Sequence, residues 1–481
     1  MHSPSLLSLP REDSDRAYYC RIGKRPVPTP MVTLPQLKAH LSLLRAIQDL
    51  RTTVEEGTDE RFPEYVKSLQ APQRWIWIVG LAIERFMKWI HTVEQTDLSA
   101  WVEDQLPPLD VLMVWHTYML NPHWYAEDCD RLMILRGLKN VDGYLIRSLV
   151  AVGDIGAYEP SDAHRQAWHN ACGTSWDPLN AAGDGTLEYH GVVCPQCLVI
   201  QSVPNVDGKG HGYLQNDFCI DCTYCGGLIT KERLVVHKLV RDIVRNHRVD
   251  DELHKHGLGV YLAGTLRTSK RAADISNAAS IKKRLWNLKI CSDSLAAVVH
   301  QHIRQGFPTK DSKKSVFFTV PDISPSPPIR INHILSAYVS DRPFSVELVG
   351  AILRQGSFIH KIHQLGWTVQ DRFHDEEESV VLEHAIARYH AFLDLLSTST
   401  TALFVPTLDI DLVWHTHQLL GQRYADDCLK YVGRYIDHDD KVEESRLANS
   451  FDETCRAWQA TPIRCSLHAL RVSCADPRDR Y

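Results

Sequence analysis

The chain has 481 residues, of which 44% are hydrophobic and 23% charged, and its 53 basic and 59 acidic side chains leave a net charge of -6. This length predicts two or three compact units, each large enough to bury a core without disulfide staples. The balanced charge excludes a whole-chain field that would recruit nucleic acid or a membrane surface.

The N-terminal part predicts a flexible segment over residues 1–30, followed by a helix whose leucines recur every three or four residues from Leu34. No basic region precedes the short apolar patch of that segment, so we expect no signal peptide. The longest apolar run, Trp75 to Ile83, is far shorter than the roughly 20 residues of a membrane span. We expect an intracellular protein of the cytoplasm or nucleus, without a membrane span.

A segment beginning at Leu109, LDVLMVWHTYMLNPHWYAEDC, returns near the C-terminus at Leu408 as LDIDLVWHTHQLLGQRYADDC, with eleven of the 21 positions identical. The similarity extends backwards through IERFMKWI and IARYHAFL, and forwards to DAHRQAW and DETCRAW. Each copy has helical spacing. The sequence therefore predicts an internal duplication of one helical unit.

Between the copies lies a cysteine cluster in which Cys194 and Cys197 form one C-x-x-C pair and Cys222 and Cys225 another. Two such pairs are the ligand spacing of a zinc ribbon, because each tight turn directs two thiolates at one ion. Cys219 also forms C-x-x-C with Cys222, so it is an alternative ligand. Four thiolates leave no open position, and we predict structural Zn²⁺.

The WHT helix, as we call the repeated helix around VWHT, is predicted to place its histidine on an apolar stripe. A buried structural imidazole explains this pattern in both copies. The second copy differs because Asp411 replaces Leu112, one turn before His415, so that carboxylate and imidazole can touch. His417 points away from His415, since residues two apart on a helix do not face each other.

The acidic run DHDDKVEE follows the second WHT helix and reads most simply as a solvated loop. If it folds back over that helix, His438 or Asp440 could join Asp411 and His415 in a metal or substrate site. The pair His438 and Asp440 also has the H-x-D spacing of a 2-oxoglutarate oxygenase. That chemistry requires a β-barrel scaffold, and the surrounding patterns are helical.

The sequence resembles the glycine-rich domain-containing protein family, known from plants and fungi. The resemblance depends on PFSVELVGAILRQGSFIHKI, VPTLDIDLVWHTHQL, YADDC, DHDDKVEE and FDETCRAW. It implies the scaffold more firmly than an activity, although some fungal relatives carry a 2-oxoglutarate dioxygenase label. After Trp458 the sequence RCSLHALRVSCADPRDRY shows no glycine-rich tail.

The predicted fold is mainly α, with two homologous helical units and a small zinc-ribbon β insert between them. The predicted division of the chain, in order, is a flexible segment (1–30), a first helical unit (31–180), the ribbon (181–235), a helical connector with a Pro-rich linker (236–329), a second helical unit (330–465) and a C-terminal tail (466–481).

The leading functional hypothesis is an intracellular zinc-containing scaffold or regulatory protein that binds a protein partner and does not catalyse a reaction. One alternative is a metal-dependent enzyme whose catalytic candidates are Asp411 and His415, with His438 beside them. A third hypothesis is nucleic-acid binding through the ribbon and the basic stretch SKRAADISNAASIKKR. The few basic residues of the ribbon, chiefly Lys209 and Lys231, argue against it.

Overall fold

The computed structural model describes residues 20–93, 105–244, 261–267, 273–287, 333–399, 403–438 and 444–460. The fold is mainly helical, with strands only in small pairs. In chain order the helices are α1 (Leu34–Glu56), α2 (Glu64–Lys67), α3 (Ala71–Ile90), α4 (Leu109–Met119), α5 (Pro122–Arg131), α6 (Arg136–Val141), α7 (Tyr144–Val152), α8 (Asp162–Cys172), α9 (Pro178–Gly183), α10 (Lys231–Val244), α11 (Ile275–Asn287), α12 (Leu348–Gln364), α13 (Glu376–Thr398), α14 (Leu408–Gln418), α15 (Gln422–Asp427) and α16 (Glu444–Ala460). None of the helices in these ranges is long and apolar enough to cross a membrane.

Three antiparallel strand pairs complete the described elements. They are β1 (Cys20–Ile22) with β2 (Arg25–Val27), β3 (Tyr189–Val193) with β4 (Ile200–Pro204), and β5 (Cys219–Asp221) with β6 (Leu228–Thr230). The second and third pairs carry the cysteine cluster, and α10 starts directly after β6. The cysteines are thus held on short hairpins at the edge of a helical body.

Helix α1 is the central element of that body. The Thr33 backbone N–H donates to the Gln36 side chain at its start, and Gly57 ends it in the left-handed region, where φ is +70°. The predicted leucine face is buried, and α1 packs against α3, α4 and α7 as well as α12, α13 and α14. One continuous apolar core therefore includes both WHT helices.

The WHT helices α4 and α14 are more deeply buried than the sequence pattern predicts. An apolar stripe predicts one buried face, yet almost every side chain of both helices is buried. Helix α4 packs against α1, α3 and α12, and α14 packs against α1 and α13. Polar groups on these helices must therefore find partners inside the protein.

The two WHT segments make the same contact to the preceding helix. In the first, Arg85 on α3 lies 3.1 Å from Asp110, and in the second Arg388 on α13 lies 2.9 Å from Asp409. Each aspartate occupies the second position of its WHT helix. The same ion pair therefore joins corresponding helices in both segments.

A hydrogen-bond chain is also repeated. In each segment a buried indole N–H donates to a tyrosine hydroxyl, which donates to a backbone carbonyl 13 residues further along the chain in the first segment and 12 in the second. The groups are Trp115, Tyr125 and the Leu138 carbonyl in the first segment, and Trp414, Tyr424 and the Ile436 carbonyl in the second. This chain fixes the segment that follows each WHT helix.

Candidate metal centres

The cysteine cluster has the geometry of a metal site. The sulfurs of Cys194, Cys197, Cys222 and Cys225 lie within 4.8 Å of one another. The Cys194 and Cys225 sulfurs are 3.8 Å apart, and those of Cys197 and Cys222 are 3.6 Å apart. Four sulfurs at about 2.3 Å from a tetrahedral zinc ion would be about 3.8 Å apart. The four thiols therefore fit one tetrahedral ion.

The backbone forms two equivalent turns that direct these thiols inwards. The Leu198 N–H donates to the Cys194 carbonyl and the Gly226 N–H to the Cys222 carbonyl, both at 2.9 Å. The residue after each second cysteine is left-handed, with φ of +64° at Leu198 and +68° at Gly226. A leucine adopts this conformation at a cost, which is typical of a turn held by ligand geometry.

Cys219, the alternative fourth ligand in the sequence, lies elsewhere. It pairs with Thr230 across β5 and β6, outside the four-sulfur group. Cys219 belongs to strand β5, whereas Cys222 follows that strand and opens the turn. Only the cysteines of the two turns are therefore directed at the common centre.

The two lysines named from the cysteine-rich insert have different surroundings. The Lys231 ammonium lies 3.6 Å from the centre of the Tyr213 ring, and burial lowers its pKa to about 8. It thus faces an aromatic side chain rather than a phosphate. Lys209 is exposed in the loop after β4. A single exposed lysine among the two named from the sequence is a weak electrostatic footprint.

A second group of metal-binding side chains lies at α14. The Asp411 Oδ1 atom is 3.4 Å from His415 Nε2 and 3.7 Å from His438 Nε2, and the two imidazole Nε2 atoms are 3.1 Å apart. The structure therefore brings together three of the four residues that the sequence suggested for a second site. Asp440, the fourth, lies outside the described residues.

Burial determines the charge state of this group. His415 is fully buried against the Phe358 ring, and burial lowers its pKa to about 4, so the imidazole is neutral at pH 7. Burial raises the pKa of Asp411, but the neighbouring His415 and His438 outweigh it and keep that pKa below its usual value. A carboxylate beside two imidazoles is a donor set that suits zinc and other transition metals.

His417 has a different set of partners. Its Nδ1 atom lies 2.8 Å from the Tyr389 hydroxyl and its Nε2 atom 3.2 Å from Asp427. His415 and His417 thus share no partner, which agrees with the prediction that residues two apart on a helix do not face each other. In the first segment Tyr118 stands in place of His417 and donates directly to Asp128 at 2.6 Å.

His40 on α1 joins the two WHT helices, and the sequence analysis missed it. Its Nε2 atom is 2.9 Å from His116 Nε2 on α4, and its Nδ1 atom is 2.8 Å from the Thr416 hydroxyl on α14. Burial lowers the pKa of both imidazoles, to about 3 for His116. A histidine within the leucine face of α1 was the only sign of this contact.

The first segment lacks the second group. Leu112 is buried at the position of Asp411, and His116 faces His40. The tyrosine hydrogen-bond chain reaches Leu138 in the first segment and Ile436 in the second, and two residues further on the first segment has the exposed Asn140 where the second has His438. The duplicated histidine thus has a structural contact in one segment and a metal-type cluster in the other.

The structure describes a mainly helical protein with a four-cysteine cluster, and sequence comparison shows which proteins the chain is similar to. Residues 318–427 match the family model described as "Glycine-rich domain-containing protein-like". The predicted resemblance to the glycine-rich domain-containing family is therefore confirmed, and the match includes the second WHT helix and Asp411. The cysteine cluster and the first WHT segment lie outside the matched residues.

Two plant proteins are similar to the chain over 123 residues. Glycine-rich domain-containing protein 1 of Arabidopsis thaliana is 34% identical and glycine-rich domain-containing protein 2 of the same plant is 36% identical, each over 24% of this chain. The chain matches 14% of the length of each relative. No solved structure matches the chain.

Proposed function

We propose that the chain is a scaffold or regulatory protein in which two homologous helical units support a structural zinc ribbon that binds a protein partner. The ribbon is the part of this proposal with direct chemical support. Its four sulfurs have tetrahedral spacing, and four thiolates would fill every position around zinc. Zinc in this site would stabilise the hairpins without catalysing a reaction.

The repeated contacts support common descent of the two helical units. The Arg85 and Asp110 pair corresponds to Arg388 and Asp409, and the Trp, Tyr and carbonyl chain occurs in both. Both WHT helices are buried in one core and meet at His40, so they act as packing elements. Neither helix therefore offers an exposed surface to a protein partner.

The observation that carries the proposed partner binding is the exposed apolar surface of the two cysteine turns. Leu198 is 63% exposed, Ile200 71% and Tyr224 77%. Each of these side chains lies within three residues of a candidate ligand cysteine, and a contiguous exposed apolar patch marks a protein interaction site. Because the turns flank the thiols, zinc would hold these three side chains in a fixed arrangement.

Site-specific photocrosslinking in cells that naturally make the protein tests this proposal. A photoreactive amino acid at Ile200 or Tyr224 is expected to capture the same protein, whereas one at the exposed Ala167 on α8 is not. The capture should disappear when Cys194→Ser and Cys197→Ser are combined. Equal labelling from Ala167, or capture that survives the cysteine replacements, would contradict a zinc-organised binding surface.

A binding titration separates this proposal from nucleic-acid recognition. We expect neither duplex nor single-stranded probes to be retained at low salt, because Lys231 is directed at Tyr213. Retention that falls steeply as salt rises would favour nucleic-acid binding instead.

A further inference from the structure

We infer that Asp411, His415 and His438 form a second metal site, which binds Zn²⁺ tetrahedrally through three protein ligands and leaves one coordination position open. This inference goes beyond the proposed scaffold function and does not depend on the ribbon. Its ligands lie on α14 and on the segment after α15, whereas the ribbon thiols lie in the turns between β3 and β4 and between β5 and β6.

The spacing of the three donor atoms favours tetrahedral coordination. The distances between them are 3.1, 3.4 and 3.7 Å. Ligands at about 2.0 to 2.1 Å from a tetrahedral zinc ion are about 3.4 Å apart. Ligands at similar distances on one face of an octahedral ion, such as the iron of a facial triad, would be about 3.0 Å apart. The triangle is therefore closer to one face of a zinc tetrahedron.

Structural contacts hold all three ligands in place. Asp411 and His415 are one turn apart on the buried helix α14. His438 follows Ile436, whose carbonyl accepts from the Tyr424 hydroxyl at 2.7 Å. The His438 ring also lies edge-on to the Trp414 ring, with 5.1 Å between centroids. The triangle thus depends on elements that the fold already fixes, as a metal site requires.

The first WHT segment shows what packing alone accepts at this position. Leu112 there is fully buried, so the fold accepts an apolar residue at the position of Asp411. A buried carboxylate costs free energy unless it is paired or binds a metal. Retaining Asp411 beside two imidazoles is explained if the three residues share an ion.

The cluster also reaches the surface. About a tenth of the Asp411 and His438 side chains is exposed, whereas His415 is buried. A metal ion here would have protein on one side and solvent access on the other. Three protein ligands with a fourth position for water are the arrangement of catalytic zinc sites, in which the metal acidifies that water. The expected exogenous ligand is therefore water or a small oxyanion.

Zinc analysis of the full chain tests the site. After dialysis against buffered zinc, the unaltered chain should hold two equivalents. The ribbon variant Cys194→Ser with Cys197→Ser should retain one, and both Asp411→Leu and His438→Gln should also retain one. As a matched control, Tyr389→Phe on α13 with His417→Tyr on α14 introduces the residues that the first segment has at Phe86 and Tyr118, and this variant should retain two. Circular dichroism verifies that each variant is helical.

Cobalt replacement identifies which site each equivalent occupies. Thiolate-to-cobalt charge-transfer absorption should be lost in the ribbon variant and kept in Asp411→Leu. The tetrahedral cobalt signal of the second site, which has no thiolate bands, should be kept in the ribbon variant and lost in Asp411→Leu. The second site is overturned if the ribbon variant binds no zinc or cobalt, or if Asp411→Leu and His438→Gln both still bind two. If the unaltered chain shows the tetrahedral signal but no thiolate bands, the ribbon assignment is wrong and the second site stands.

Discussion

Asp411→Leu is the most informative single substitution, because Leu112 shows that the corresponding position accepts leucine. The change removes a buried carboxylate and restores apolar contact in the core. Fully burying a leucine side chain is worth about 1.5 to 3 kcal/mol. Against this gain, His415 loses a partner 3.4 Å away, which costs about 1 to 3 kcal/mol. These ranges leave the metal-free variant between about 1.5 kcal/mol less stable and about 2 kcal/mol more stable than the unaltered chain.

Zinc should stabilise the unaltered chain more than the Asp411→Leu variant. A ligand that binds only the folded state at about 1,000 times its dissociation constant adds about 4 kcal/mol. Both chains gain the contribution of the ribbon, so the difference between their zinc-dependent gains measures the second site. The expected result is a larger gain in the unaltered chain than in the variant.

Urea unfolding with a chelator and with buffered zinc provides both free energies. A metal-free variant that loses more than about 3 kcal/mol would refute the reasoning, because it would identify Asp411 as one member of a structural buried ion pair. Equal zinc-dependent gains in the two chains would also refute it, since the carboxylate would then take no part in binding zinc.

Three further predictions concern the duplicated contacts and the buried histidines. Arg85→Met should lower the free energy of unfolding in urea by about 3 to 5 kcal/mol, and Arg388→Met should lower it by about 1 kcal/mol. The reason is that the Arg85 side chain is 1% exposed and that of Arg388 is 14% exposed. Equal losses in the two variants would contradict this prediction. Tyr389→Phe should lower the unfolding free energy by about 1 to 3 kcal/mol, because it removes a partner of His417. Adding His417→Tyr should recover most of that loss in a double-mutant cycle. Simple additivity of the two losses would show that the pair is not coupled. Burial lowers the pKa of several histidines below 6.5, so the unfolded chain binds more protons than the folded chain in acid. The unfolding free energy should therefore fall as the pH drops from about 6.5 towards 4, by up to about 1.4 kcal/mol per pH unit for each histidine. A flat profile between pH 5 and 7 would contradict this prediction. These histidines are His40, His116, His123 and His390.

The local features of the two candidate centres could be predicted from the sequence because they depend on spacing alone. The C-x-x-C turns follow from four consecutive residues each. Asp411 and His415 are one helical turn apart, so their contact required only that the segment be helical. Alignment of the two copies places Asp411 where the first copy has Leu112, and this difference distinguishes the second pair from the first.

Contacts between distant parts of the chain were harder to predict. His40 is 76 residues from His116 and 376 from Thr416, and no local pattern connects them. The sequence suggested contact between His438 and His415 only if the acidic run folds back over the second WHT helix. A run of charged residues more often forms a solvated loop, so the pattern alone did not predict this contact. Arg85 and Arg388 could have been found, since IERF and IARY align an arginine before each WHT helix.

X-ray absorption at the zinc edge of the Asp411→Leu variant tests the central claim most directly, because that variant should hold only the ribbon ion. The account predicts four sulfur ligands at about 2.3 Å and no nitrogen or oxygen ligand. A spectrum dominated by nitrogen and oxygen ligands, or a folded variant without zinc, would contradict the assignment of Cys194, Cys197, Cys222 and Cys225 as a structural zinc site.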